Sequence, residues 1–260
     1  MNISLSEQHI VHYLQNRPVT SKREQLTDQY PFYGSAWRNY KEVVREIARE
    51  QGYMRLLEIG GGRDPLFTPQ ELDEMGIRYT VNDISHDELA KADERYKKQV
   101  FDISGVVDES LHQQYDFIFS RMVFEHVPSA MQAYRNILAL LKPGGVAMNF
   151  HPTLFATPFL INKAIPDWAS SRLLRAFVPN RTPDQIPKFP AYYSLCSSTA
   201  RTQRRITDIG FSDVFIIPFY AHNYYVKIPP LNRLSIAVAR WASQRKLRSF
   251  STFALTFVIK

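Results

Sequence analysis

The chain has 260 residues, 45% of them hydrophobic and 22% charged, an ordinary globular balance that can furnish one sizeable core. Cys196 is the sole cysteine, which excludes an internal disulfide, argues against a cysteine-held metal and suits a reducing cytoplasm. The net charge of +7 is uneven: residues 1–150 hold 17 Lys/Arg against 21 Asp/Glu, residues 151–260 hold 15 against 4, and no acid follows Asp213.

The first residues, Met1–Glu7, show no basic stretch followed by an apolar one, so no signal peptide is expected. No run reaches the roughly 18 to 20 apolar residues of a membrane-spanning helix. Residues 1–40 read as helical and aromatic, with Tyr30, Tyr33 and Trp37 as candidates to close over a ligand or to pack in the core. Tyr40, Val43, Val44, Ile47 and Ala48 follow helical spacing up to Gly52, a natural stop. Strands and helices then alternate. Arg55–Ile59 is the first strand, and Thr68-Pro69-Gln70-Glu71 is a capping box that starts a short helix. Tyr79–Asn82 is the second strand, with a helix expected over His86–Tyr96. Gln99–Phe101 is the third, followed by a weak helix at Val106–His112. Asp116–Ser120 is nearly all apolar, as a buried parallel strand should be. Ser129 caps the next helix, Lys142-Pro143-Gly144-Gly145 ends it, and Val146–Phe150 is strand five.

The alternation stops after His151. Residues 152–198 are dense in proline and aromatic side chains, too long a stretch for a loop without structure of its own. They read as an inserted, mainly helical lid. A basic helix at Ser198–Ile209, a strand at Val214–Pro218, a helix at Leu231–Leu247 and a strand at Thr252–Ile259 complete the chain. Repeated strand–helix units predict a doubly wound parallel α/β sheet.

The chemistry lies at the strand ends. Leu56-Leu57-Glu58-Ile59-Gly60-Gly61-Gly62 is an apolar strand entering an acid and a glycine bend, where the lack of Cβ atoms lets backbone approach a ligand. Asp83 ends the second strand, twenty-one residues after Gly62, and Asp102 ends the third. Three strand-end carboxylates and a glycine turn describe a nucleotide-type pocket. A dinucleotide oxidoreductase would need a third glycine to admit its helix, and Pro65 stands there instead.

Together with Asp83-Ile84-Ser85, Phe101-Asp102-Ile103, Glu125-His126-Val127 and Leu141-Lys142-Pro143-Gly144-Gly145, the glycine segment resembles the class I S-adenosylmethionine-dependent methyltransferases, type 11 in particular. The resemblance covers about residues 52–150. It implies a seven-stranded Rossmann-like sheet with its last strand antiparallel, an N-terminal helical cap and a helical lid after strand five. The chain then divides into a cap (1–51), a cofactor-binding core (52–151), the lid (152–198) and C-terminal helices and strands (199–260) of one methyltransferase domain.

The same resemblance assigns S-adenosyl-L-methionine to Glu58, Gly60, Gly61, Gly62, Asp83, Ile84, Asp102, Ile103, Ser120 and Arg121. Asp83 would accept from the ribose hydroxyls, Ile84 and Ile103 would flank adenine, Asp102 would accept from its amino group, and Glu58 would serve the ammonium group. Ser120 and Arg121 would lie beside the sulfonium. His151 and His126 are the candidate bases, because histidine exchanges protons near neutrality. Quinone-pathway relatives pair an acid triplet with a metal, but Arg121-Met122-Val123-Phe124 offers no second acid, so no metal is expected.

The expected acceptor is a small molecule, anionic or lipid-like, with O-methylation favoured and nucleic acid not expected for want of a recognition module. A cofactor-binding subunit without catalysis stays open. The expected location is cytoplasmic. Leu231, Leu234, Val238 and Trp241 share one face of a basic helix, which also leaves contact with a membrane surface open. Oligomeric state is not readable.

Overall fold

In the computed structural model of the protein, residues 6, 8, 10–12, 33–154, 190–220, 222, 225 and 228–260 are described. Most of the expected lid, residues 155–189, lies outside them, as do Tyr30 and most of the amino-terminal cap; the lid's described end, residues 190–198, holds turns and bends rather than the expected helix.

Helix α1 (Tyr33–Gln51) leads into β1 (Arg55–Ile59) through Gly52, whose φ of 65° only glycine adopts without strain. There follow α2 (Pro69–Met75), β2 (Arg78–Asp83), α3 (His86–Ala90), β3 (Lys97–Val100), β4 (Tyr115–Arg121), α4 (Ala130–Leu140) and β5 (Leu141–Pro152). The chain closes with α5 (Ala200–Thr207), β6 (Asp213–Phe219), α6 (Pro229–Gln244) and β7 (Phe253–Ile259). The sheet order is β3-β2-β1-β4-β5-β7-β6. The first five strands pair in parallel, and β7 runs antiparallel between β5 and β6. This is the Rossmann-like methyltransferase sheet that the motifs imply.

Side-chain alternation along β4 and β5 sorts their residues onto two faces. Phe117 and Phe119 share one face with Phe150. There Tyr40 of α1 packs with ring centroids 6.4 Å from Phe119 and 6.2 Å from Phe150. Tyr40 also donates from its hydroxyl to the Ser120 carbonyl at 2.7 Å, which ties α1 to the middle of the sheet. Fully burying each of these phenylalanines contributes about 2 kcal/mol. The opposite face carries Ser120, Asn149 and His151, and there Tyr134 of α4 packs on Phe124 and Phe211.

Local signals explain the elements that match expectation. Thr68 and Glu71 form the reciprocal capping box of α2, and Gly76 ends it in the left-handed region. Ser129 caps α4. Helix α3 stops at Ala90 rather than Tyr96, because Asp93 accepts from the Arg95 backbone N–H at 3.0 Å and that turn competes with the helix. The segment expected to be helical over Val106–His112 keeps only a single 3-10 turn, Glu109–Leu111.

Candidate functional site

The sheet order reverses between β1 and β4, so their carboxyl ends diverge and open a crevice. A cavity of about 340 Å³ occupies it, within the size range of small-molecule sites. Gly60, Asp83, Ile84, Asp102, Ile103 and His126 line it, together with Ile59, Asn82, Phe101, Met122, Val123 and Tyr192. A larger open cleft of about 920 Å³ lies at the other end of the strands, beside Arg55, Arg78 and Lys97. None of the ordered motifs reaches it, and it stands away from the crevice where the sheet order reverses.

The glycines divide their labour. Gly60 has φ 71°, and a Cβ there would lie 2.4 Å from Cγ2 of Val123, across the cavity mouth. Gly62 has φ 51° and lies against Asp83, whose Oδ2 would be 3.2 Å from an added Cβ. Gly61 faces the interior instead, since a Cβ on it would meet Val81 at 2.7 Å and the Glu58 carboxylate at 3.0 Å. The turn therefore brings bare backbone to the cavity at Gly60 and seats itself on the sheet at Gly61.

Asp83 accepts from the Ser85 N–H at 2.9 Å through Oδ1, leaving Oδ2 on the Gly62 side. Burial pushes its pKa up, opposed by that N–H and helped by the nearby Glu88. Asp102 uses Oδ1 for the N–H and hydroxyl of Ser104, both at 2.8 Å. Two buried amides position these acids, and neither stood out in the sequence. Asn82 donates to the carbonyls of Gln99 and Phe101, both at 3.0 Å. Asn136 donates to those of Ile103 and Gly105 at 2.7 and 2.9 Å.

Besides Gly61 and Gly62, four expected site residues are absent from the cavity lining. Glu58 is buried under the turn, where it accepts from the Leu66 N–H at 2.9 Å and from the Tyr79 hydroxyl. It braces the loop after β1 and does not line the cavity. Ser120 is fully buried and donates to Asn149 at 2.8 Å. Arg121 lies over the ring of Tyr40 at 5.8 Å. His151 is 1% exposed, with Nδ1 3.1 Å from the Pro152 carbonyl and Nε2 3.0 Å from the Thr256 hydroxyl. Burial lowers its pKa to about 4, and β7 rather than the cavity is its neighbour.

His126 stands at the cavity. Its Nδ1 lies 2.9 Å from the carbonyl of Pro190. A carbonyl only accepts, so Nδ1 carries the hydrogen and Nε2 the lone pair in the neutral ring. Nε2 is 3.8 Å from Oε1 of Glu125. Glu125 is buried, its Oε2 has no hydrogen-bond partner among the described residues, and burial pushes its pKa up to about 8. The Glu125 carbonyl in turn accepts from the N–H groups of Tyr192 and Tyr193 at 2.7 and 3.1 Å. Among the described residues no group of three His, Cys, Asp or Glu is placed to hold a metal.

The arrangement suits a ligand with hydroxyls for Asp83, a flat apolar part for Ile84 and Ile103, and a donor for Asp102. A family profile described as a methyltransferase domain matches residues 33–180, more than half of the chain. Over 115 residues the chain is 32% identical to the hybrid PKS-NRPS synthetase LUC5 of a Fusarium species, covering 40% of this chain and 3% of that one. Its fold is similar to that of the citrinin polyketide synthase CMeT domain (TM-score 0.52, 17% identity, 92% of this chain and 57% of that one). It is also similar to a SAM-dependent methyltransferase of Archaeoglobus fulgidus (TM-score 0.51, 18% identity, 92% of this chain and 100% of that one). The chain thus spans a small fraction of its curated relative and about half of several matched structures.

Proposed function

Because the chain belongs to the methyltransferase-domain family, as a class I S-adenosylmethionine-dependent enzyme, we propose that it methylates an oxygen of a small-molecule or lipid-like acceptor. The observation that carries this reading is His126, held by Pro190 in one tautomer at the wall of the cavity that Gly60, Asp83 and Asp102 also line. The residues present fit the cofactor: Gly60 brings backbone without a Cβ to the cavity wall beside Val123, and Asp83 Oδ2 lies beside Gly62, the third glycine of the same turn.

When bound, S-adenosylmethionine supplies an electrophilic methyl on a positively charged sulfur. Asp83 accepts from the ribose hydroxyls, charge-assisted bonds that a short carboxylate held by Ser85 can make without reorganising. Asp102 accepts from the adenine amino group, and Ile84 and Ile103 cover the ring. Met122, Val123 and Tyr192 line the same cavity and are the side chains placed to cover a bound ligand. His126 would take the acceptor's hydroxyl proton at Nε2. The Glu125 carboxyl lies 3.8 Å from Nε2, and toward the imidazolium, which only donates, it serves as an acceptor through Oε1. His151 has no part in this scheme, since its nitrogens serve β5 and β7.

The test is a radiolabelled methyl-transfer screen against metabolite and lipid extracts, followed by His126→Gln on whichever acceptor is labelled. Loss of a general base lowers turnover by about 10²–10⁴ while S-adenosylhomocysteine affinity stays unchanged. Turnover unaffected by the substitution would remove His126 from the chemistry and leave alignment alone.

A further inference from the structure

Helix α6 turns four of its five large apolar side chains the wrong way for a helix packed on a sheet. The face toward the molecule is made mostly of small or polar residues, with Ile236 half-buried among them: Ala242 is buried, Asn232, Ala239 and Ser243 are half-buried, and Ser235 meets His222 at 3.0 Å. Leu231, Leu234, Val238 and Trp241, spaced at i, i+3, i+7 and i+10, point outward with exposures of 37, 61, 41 and 41%. Phe250, in the turn after the helix, is 48% exposed and meets Trp241 edge-on at 5.5 Å. Arg245 lies 5.3 Å over the Trp241 ring. The stripe therefore extends beyond the helix end as a joined aromatic patch with a cation on it.

Charge says what covers this patch. Residues 214–260 contain seven Lys/Arg and no Asp or Glu. Arg233 and Arg240 flank the stripe about one third of a turn away, on the helical wheel of 3.6 residues per turn. A second copy docked face to face would oppose the same cations to themselves, which an isologous contact must avoid. An anionic lipid surface complements Arg233, Arg240 and Arg245 at once, with leucines, tryptophan and phenylalanine at acyl-chain depth and arginines among the headgroups. No described helix is long and apolar enough to cross a membrane, so the geometry is that of a helix lying in the interface.

We propose that α6 and the turn Arg248–Phe250 form a docking surface for an anionic lipid bilayer. The inference does not depend on the cofactor site. Sedimentation of the whole chain with phosphatidylglycerol–phosphatidylcholine vesicles, against phosphatidylcholine alone, tests it. Binding is expected to the anionic vesicles at low salt and to weaken as salt rises. The double substitution Leu234→Ser with Trp241→Ser should reduce affinity about tenfold or more, and Arg240→Gln with Arg245→Gln should reduce it without changing the melting temperature. Absence of sedimentation with anionic vesicles, or binding indifferent to both variants, overturns the proposal. So does a dimer in light scattering that the Leu234→Ser, Trp241→Ser protein no longer forms, because the patch would then serve a second copy. S-adenosylhomocysteine binding measured on the same samples reports separately on the cofactor reading.

Discussion

Two buried titratable groups flank the strand ends, and they pull stability in opposite directions with pH. Burial raises the Glu125 carboxyl from an ordinary 4.5 to about 8. Between those values the folded chain holds a proton that the unfolded chain has released, so stability falls as pH rises through the window. Burial lowers His151 from 6.5 to about 4. Its contribution is complete above the unfolded value and is lost as pH falls toward about 4. Glu125→Gln should therefore gain melting temperature relative to the parent as pH rises from about 5 to about 8, with the difference level above that, worth on the order of a few kcal/mol. A difference independent of pH would mean that Glu125 ionises freely in the folded chain. The glutamate was visible in the sequence only as part of Glu125-His126-Val127, because the Tyr192 and Tyr193 N–H groups that its carbonyl accepts from lie more than sixty residues along the chain.

Between β1 and β4 the fit of two turns is tight enough to test directly. Gly60→Ala places a methyl 2.4 Å from Val123 and forces a φ of 71° on an L side chain. It should cost about 1–3 kcal/mol in thermal or urea unfolding. Adding Val123→Ala should recover the steric part and leave the backbone part. An unchanged melting temperature in Gly60→Ala would show that the turn is looser than the contact implies. Elements whose signals are local were legible: the Thr68 capping box, the Ser129 cap and the apolar run of β4 all lie where the residues put them. The overlong helix after β2 was misread because the Asp93 turn interrupts it without a break in helix-forming composition. In β4 and β5 both faces are buried, so hydropathy says nothing about which way Ser120 or His151 points. Register decides, and it sends both to the α4 face.

Across the chain, the crevice proposed for the cofactor is lined mainly by the acidic first half, with Pro190 and Tyr192 from the second, and the helix proposed to face lipid belongs to the basic second half. The three strand-end acids were legible because each lies next to its strand in sequence, although Glu58 proved to brace the turn from beneath. The contact between His126 and Pro190 spans 64 residues, and no local pattern announces it. The antiparallel direction of β7 came from family likeness, whereas its place between β5 and β6 was not read, since two adjacent apolar strands carry no order of their own.

Calorimetric titration of the whole chain with S-adenosylhomocysteine, alongside Asp83→Asn, bears most directly on the reading of the crevice. Asparagine keeps an acceptor for the Ser85 N–H but loses the charge and one acceptor for the ribose. Saturable micromolar binding that weakens about tenfold or more in the variant, with melting unchanged, is the expected result. No binding by the parent chain, or equal binding by both, would contradict it.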